Sequence, residues 1–463
     1  WRNISDEGHP PSPIFNPDGS LTFSAAYSVG DFIYGKNGID TNNKVLKNTT
    51  GFTASFLENK LHVRGDFTFR NTDEGQTQRR VPVPYSTHEG QIVELSTKYN
   101  DLKESNMRTE YIATNLYADY EDTFGDAHYF KGMVGYNYEQ STYKSTYVQR
   151  NGLLLDDSEN INLALGDAIT TSGGYNRWRV AGGFFRLNYA FKDRYLLEVN
   201  GRYDGSSRFA PGHRWGFFPS FSAGYDIART PYFQQLALPV SQLKVRVSYG
   251  RLGNQNGAGL YDYIAQMPLD AQGTNAWLLP GISSSTASKG TIAKTPKMIS
   301  PYITWEKVDN ANLGFDLMLL KNRLSITADF YQRTTRDMIG PAESIPSISG
   351  IASDDRAKVN NATLRNRGWE LSVSWNDKLK CGFSYGVGFN VFNYKAVVTK
   401  YNNPEGIIYN NHTGLAANKG YYEGMDIGEI WGYRADDLFL SNREIDDYLR
   451  NVNLTAFKSN DLW

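Results

Sequence analysis

Residues 178–227, WRVAGGFFRLNYAFKDRYLLEVNGRYDGSSRFAPGHRWGFFPSFSAGYDI, read as three consecutive β-strands and decide the fold class. Phe185, Leu187, Tyr189 and Phe191 share one face of the first strand, and Tyr195, Leu197, Val199, Gly201 and Tyr203 share one face of the next. Arg186, Asn188, Glu198, Asn200 and Arg202 fall between them, which is period-two alternation of an apolar face with a charged and amide-bearing one. A tight Lys192-Asp193 turn joins this pair. The third strand repeats the pattern with Trp215, Phe217, Phe221, Ala223 and Tyr225. Aromatic residues bracket each apolar face. From Tyr195 to Tyr203, a rise of about 3.3 Å per residue at a tilt of roughly 40° gives about 20 Å of height, and Trp215 to Tyr225 gives about 25 Å. That is the height of an outer-membrane apolar band between its aromatic girdles. A half-buried strand of a soluble sandwich alternates equally well but has no need of aromatic brackets at this spacing.

Composition agrees with a large barrel. Aromatic residues make up 14% of 463 residues, with Tyr ahead of Phe. The mean hydropathy of -0.51 does not oppose a barrel, because only alternate strand residues need be apolar. No apolar run is long enough for a membrane helix. A net charge of -1 with intermixed signs gives no support to nucleic-acid binding. The single Cys381 rules out an internal disulfide, and it is expected on the apolar face with Phe383 and Tyr385. Trp1 opens a polar, proline-broken segment without the apolar stretch of a signal peptide, so the chain reads as a mature fragment.

The same alternation recurs along the chain. Strands are expected at Leu21–Val29, Phe52–Phe56, Leu61–Phe69, about 110–120 and 128–139, then in the opening stretch. Further strands follow at Leu243–Tyr249, Ala311–Leu319, Leu324–Phe330, Trp369–Trp375 and Phe383–Val391, about thirteen in all. Residues 71–109, 140–177 and 251–302 read as long polar excursions, and nothing beyond Tyr394 carries a strand pattern. Short turns near 58–60, 121–127, 192–193, 228–241, 320–322 and 376–380 alternate with the longer connections. A barrel whose strands all cross one membrane has this form, with tight periplasmic turns at one rim and long external loops at the other. Single-chain bacterial barrels close with an even number of strands, and an open sheet cannot sit in lipid with unpaired edges, so the wall is expected to be completed by strands outside this sequence.

The runs RYLLEVNGRYDGSSRFAPGHRWGFFPSFSAGYDI, LKVRVSYGRLGNQN, SPYITWEKVDNANLGFDLMLLKNRLSITADFYQRTTRDMI and MDIGEIWGY, in that order, closely resemble the SusC/RagA family of TonB-linked outer-membrane transporters. The resemblance covers most of residues 110–435. It implies that 1–463 is one antiparallel transmembrane β-barrel domain, part of a barrel of about 22 strands, without the plug, the TonB box or the final strands. It also implies two partners, TonB and a SusD-like lipoprotein lid, with import of oligosaccharides or peptides. A passive porin, a siderophore-type receptor and a secreted β-sandwich glycan-binding protein are the alternatives.

No catalytic constellation and no cofactor or metal site is expected. The six histidines are scattered, Asn254–Gly259 lacks the lysine of a phosphate loop, and Asp156-Asp157 and Asp354-Asp355 lack calcium-loop spacing. Arg64, Asp66, Arg186, Glu198, Arg202, Lys244, Arg246 and Asp329 alternate with apolar-face residues, so in a barrel they line the lumen, where they meet substrate or pair with one another and with a plug. Tyr261, Tyr263 and Trp277 offer flat faces either for sugar rings or for packing beneath a lipoprotein lid. Arg208 and Arg214, flanking GSSRFAPGH, either hold a substrate carboxylate or stabilise the rim.

Overall fold

The computed structural model describes residues 13–27, 35–88, 90–94, 100–167, 169–267, 269–270, 278–279, 288–289, 292–293, 296–341, 348, 356–402, 421–430 and 439–451. It is dominated by one 12-stranded sheet in which every strand pairs antiparallel with its predecessor in the sheet. The strands are β1 (Gly38–Phe56), β2 (Leu61–Arg80), β3 (Asp101–Phe124), β4 (His128–Asn151), β5 (Ile169–Phe191) and β6 (Tyr195–Ser206). They continue with β7 (Trp215–Asp226), β8 (Val240–Asn254), β9 (Glu306–Leu319), β10 (Leu324–Pro341), β11 (Lys358–Lys378) and β12 (Ser384–Lys400). Two edges remain. Among the described residues β1 has no neighbour beyond β2, and the outer side of β12 is met only near its end, where Val398 and Ala396 bond residues 424–427.

Register carries face identity across the sheet. Val63, Ala118, Val134, Phe185, Gly201 and Pro219 stand opposite one another from β2 to β7, all on the apolar face. That face stays open. Val134 is 63% exposed and Phe217 53%, whereas Asp119 on the polar face is 1% exposed. Aromatic pairs mark both ends of the band: Tyr195 stacks on Tyr225 with centroids 4.9 Å apart, and Tyr203 on Trp215 at 5.1 Å. At Gly201 the Phe185 ring lies over the backbone, so an added Cβ would sit 2.4 Å from Phe185 Cε1. Gly201→Ala is therefore expected to lower the unfolding free energy of the refolded full-length protein, measured in urea, by about 1–2 kcal/mol, with Phe185→Leu recovering most of it.

The connections sort by rim. Residues 57–60, 125–127, 192–194, 227–239, 320–323 and 379–383 join strands at one end, and 81–100, 152–168, 207–214, 255–305 and 342–357 join them at the other. The tight turns are built from left-handed residues, Lys192 and Asp193 with φ of 49° and 52°, and Leu320, Lys321 and Asn322 with 55° to 65°.

Several expectations are corrected. Leu21–Tyr27 is not a strand: the Thr22 hydroxyl accepts from Ala25 N and caps a single helical turn, Phe23–Ala25, and Val29 lies outside the described residues. Among the described residues the large sheet therefore has twelve strands where thirteen were expected. The polar stretches 71–109 and 140–177 are shorter excursions than they read, because β2, β3, β4 and β5 extend well past the apolar band. Beyond that band neither strand face needs to be apolar, so the ladder persists while the alternation that announces it fades. β12 likewise continues to Lys400, with Phe392 and Tyr394 on its polar face. Cys381 sits in the exposed turn between β11 and β12, not on the apolar face.

Candidate functional site

The polar face is a hydrogen-bonded lattice. Arg64 meets Asp119, and Lys131 Nζ lies 2.7 Å from Glu121 and 3.9 Å from Asp119. Asn115 donates to Asp66 at 2.9 Å. On β5 to β7, Arg186 donates to Asn200 at 2.5 Å, while Asn188 and Asn200 donate to Glu198 at 2.6 and 2.7 Å. Arg202 forks onto Asp204 at 3.0 and 2.8 Å with its guanidinium 5.2 Å from the Phe184 ring centroid. Arg246 Nε reaches Asp316 at 3.1 Å and Nη2 reaches Asp329 at 2.7 Å.

Seven of the eight residues expected on the polar side thus have protein partners. Lys244 is the exception. It has no ion pair among the described residues, and it borders an open groove of about 480 Å³ with Glu198, Arg246, Asn188, Tyr129 and Asn312. Such a volume suits a small polar ligand or a packing side chain.

Removing the cation of the Arg246 fork leaves Asp316 and Asp329 facing each other partly buried, and a half-buried orphan charge costs more than the intact pair contributes. Arg246→Met is expected to lower stability by about 2 kcal/mol. Adding Asp316→Asn and Asp329→Asn to it should recover most of that loss in chemical denaturation of the full-length protein.

The loop rim is built differently. Trp305, just before β9, packs into a small core of Phe209, Phe218, Ala258 and Ile303, with Ile339 alongside. Its ring centroid is 5.3 Å from those of both Phe209 and Phe218. Trp305 Nε1 donates to the Arg214 carbonyl at 2.8 Å, and Thr304 Oγ1 donates to the His213 carbonyl at 3.1 Å. Buried Glu306 accepts from Asn254 Nδ2 at 2.6 Å and from Ile339 N at 2.9 Å. A second core, Val81, Leu102, Leu153 and Ala164, ties the excursion after β2 to the one after β4.

Both rim arginines bond to this scaffold, and Arg208 Nε is buried without a hydrogen-bond partner. Arg208 Nη1 donates to the Ala258 carbonyl at 2.8 Å, and Arg214 Nε to the Phe209 carbonyl at 3.0 Å. Burial lowers the Arg208 pKa and the nearby Asp262 carboxylate opposes that shift, with the guanidinium far too basic to lose its charge. Tyr261 OH accepts from Arg177 N at 3.0 Å, pinning the long loop against β5. Tyr263 is half-buried, and Trp277 lies outside the described residues. The arrangement brings Arg208, Ala258 and Tyr261 into one rim cluster and leaves Lys244 and Arg246 on the polar face. Sequence reading overlooked Trp305, Phe209 and Phe218, although the doubled aromatics Phe217-Phe218 place one ring on each face and mark an added core.

No cluster of three or more His, Cys, Asp or Glu with metal-holding geometry is present among the described residues.

A family model described as "TonB dependent receptor-like, beta-barrel" matches residues 3–459. The chain is 24% identical over 468 residues to "TonB-dependent receptor SusC" of Bacteroides thetaiotaomicron, covering 95% of this chain and 44% of that protein. It is 23% identical over 436 residues to "TonB-dependent receptor P3" of Formosa agariphila, covering 91% of this chain and 40% of that protein. A chain of the structure titled "Structure of the RagAB peptide transporter" superposes with a TM-score of 0.67 at 21% identity, over 79% of this chain and 38% of that one. The chain thus spans less than half the length of these relatives. With the match running along nearly its whole length, the chain belongs to the TonB dependent receptor-like β-barrel family.

Proposed function

We propose that the full-length protein is an outer-membrane importer of the SusC type, taking up oligosaccharides or oligopeptides beneath a SusD-like surface lipoprotein, with TonB supplying the work. One observation carries this reading: a continuous antiparallel meander holds one face apolar and exposed and the other polar and internally bonded, and gathers its long loops at one rim. An aqueous lumen inside a lipid-embedded wall requires that division. The relatives support active import: SusC is named a TonB-dependent receptor, and the structurally similar RagAB is titled a peptide transporter. In this reading β1 and β12 meet further strands of the full-length barrel, the short turns face the periplasm, and the rim built around Trp305 receives the lid. The chain itself carries out no covalent chemistry; its polar face guides substrate, with Lys244 the groove cation that has no ion pair among the described residues.

The test is energy-dependent uptake. In cells carrying the full-length gene, labelled oligosaccharide or oligopeptide accumulation should stop on deletion of the gene and equally on collapse of the proton-motive force. Uptake that persists without the proton-motive force would indicate a passive pore, and recovery of the full-length protein in buffer without detergent would overturn the barrel reading.

A further inference from the structure

Past the apolar band, β3, β4 and β5 carry a group of cations on the band's own side of the sheet. No register shift interrupts these pairings, so parity is continuous. Arg179 and Arg177 stand on the same face as Phe185, beyond Ala181, and Lys144 is on the face of Val134. Lys144 lies opposite both Arg108 and Tyr175, which places all four cations on neighbouring strands. Phe191 to Ala181 is ten residues, about 25 Å of height at about 2.5 Å per tilted residue. Arg179 and Arg177 therefore stand about 5 and 10 Å above the apolar band, and Lys144 and Arg108, in register with Tyr175, about 15 Å above it, from the headgroup layer outward.

Their bonding leaves capacity for an anion. Arg179 Nε donates to Gln140 at 2.7 Å, Arg177 Nε to Thr142 at 3.1 Å, and the Arg177 guanidinium rests 5.5 Å from the Tyr175 ring centroid. None of these partners is charged. Arg108 is already matched by Glu110 at 2.8 Å and by Asp73 at 3.8 Å. Among the described residues, Lys144, Arg177 and Arg179 have no carboxylate within salt-bridge distance, and all three are exposed.

We propose that Lys144, Arg177 and Arg179, with Arg108 beside them, form a seat on the outside of the wall for the phosphates of an anionic outer-leaflet glycolipid. This rests on the membrane reading above. The occupant is an amphiphile because the cations share one face of the wall with exposed Val134, Tyr136 and Phe185, which lie in the apolar band below them: acyl chains cover the apolar surface while the phosphates take the guanidinium η nitrogens and the ammonium. A free phosphate ion would use only the upper half of that surface.

The test uses the full-length protein, extracted from outer membranes in mild detergent and stripped of lipid. It is titrated with diphosphorylated lipid A, with the monophosphorylated form and with inorganic phosphate, and retention is read by native mass spectrometry. Wild type should retain diphosphorylated lipid A in preference to the monophosphorylated form. The K144A/R177A/R179A variant should lose at least tenfold, R177K/R179K should keep most of the retention, and Lys321→Ala at the opposite rim should change nothing. Heat-modifiable migration in electrophoresis verifies folding. If the triple variant does not fold, Lys144→Gln alone is expected to lower retention about threefold. Undiminished retention by a folded variant overturns the seat, as does inorganic phosphate competing at equal concentration. A variant that changes oligomeric state with lipid retention intact would mark a protein interface and also overturn it. Failure of the membrane reading looks different, since the unmodified protein would then stay soluble without detergent.

Discussion

Replacing Trp305 by alanine should release the loop rim while leaving the wall standing. The indole is 5% exposed, contacts the rings of Phe209 and Phe218, and donates the hydrogen bond that satisfies the Arg214 carbonyl. Truncating a buried tryptophan costs about 3–5 kcal/mol, of which the aromatic contacts and the lost hydrogen bond each account for about 1. The loss is local, because the core around Trp305 joins the loop 207–214 to the segment before β9 and is absent from the apolar band. Arg208 and Arg214 lie in or beside that loop, so trypsin reports directly on its opening. A local loss of about 3–4 kcal/mol predicts cleavage at these arginines about 100- to 1000-fold faster in Trp305→Ala than in wild type, with intact outer membranes as the substrate. Trp305→Phe keeps most of the ring contact and should show only about a tenfold increase. Equal cleavage rates in Trp305→Ala and wild type would mean that other contacts hold the rim.

The second large effect tests which face meets lipid. Val199 is near the middle of β6, with Leu187 and Phe221 opposite it on the apolar face. Arginine at the centre of a lipid-facing band costs about 2–4 kcal/mol, so Val199→Arg should sharply reduce folded, heat-modifiable protein in the outer membrane. Ser222→Arg on β7 points to the opposite face, beside Glu198 of β6, and should cost less than about 1 kcal/mol. Yield of folded full-length protein and its urea midpoint separate the two. Tolerance of Val199→Arg together with loss of Ser222→Arg would exchange the faces.

What could be read from the sequence was whatever the bilayer requires of it. Strands from Phe52 to Val391 announced themselves where lipid demands an apolar residue at every second position, and the tight turns at Lys192-Asp193 and Lys321-Asn322 were equally plain. The strand ends were hidden because water and loops tolerate any residue on either face there. That is why Arg177 and Lys144 were taken for loop although they stand on strands, whereas Arg179 fell inside the stretch 178–227 that reads as strand. Leu21 to Tyr27 misled in the opposite way, alternating like a strand while Thr22 supplied a helix cap. The rim core was out of reach for a third reason: Phe209 and Trp305 are far apart in sequence and meet only through tertiary packing. Arg208 and Arg214 were singled out by position, and each donates one hydrogen bond to a backbone carbonyl of the rim.

The chain-order pairing of the sheet bears on how it assembles. Nearly every strand finds its partner across a connection of at most about twenty residues, so the wall can grow hairpin by hairpin with little loop-closure entropy at each step. The junction of β8 with β9 is different, since residues 255–305 must be closed off before Val245 can meet Phe315. Relative to a tight turn, a loop of that length costs about 2–3 kcal/mol of chain entropy. The contacts of Trp305, Glu306 and Asn254 form beside that junction and are of a size to offset it. The rim core then has a second duty as the clasp that lets one half of the wall register on the other, and β8–β9 docking is where insertion would pause.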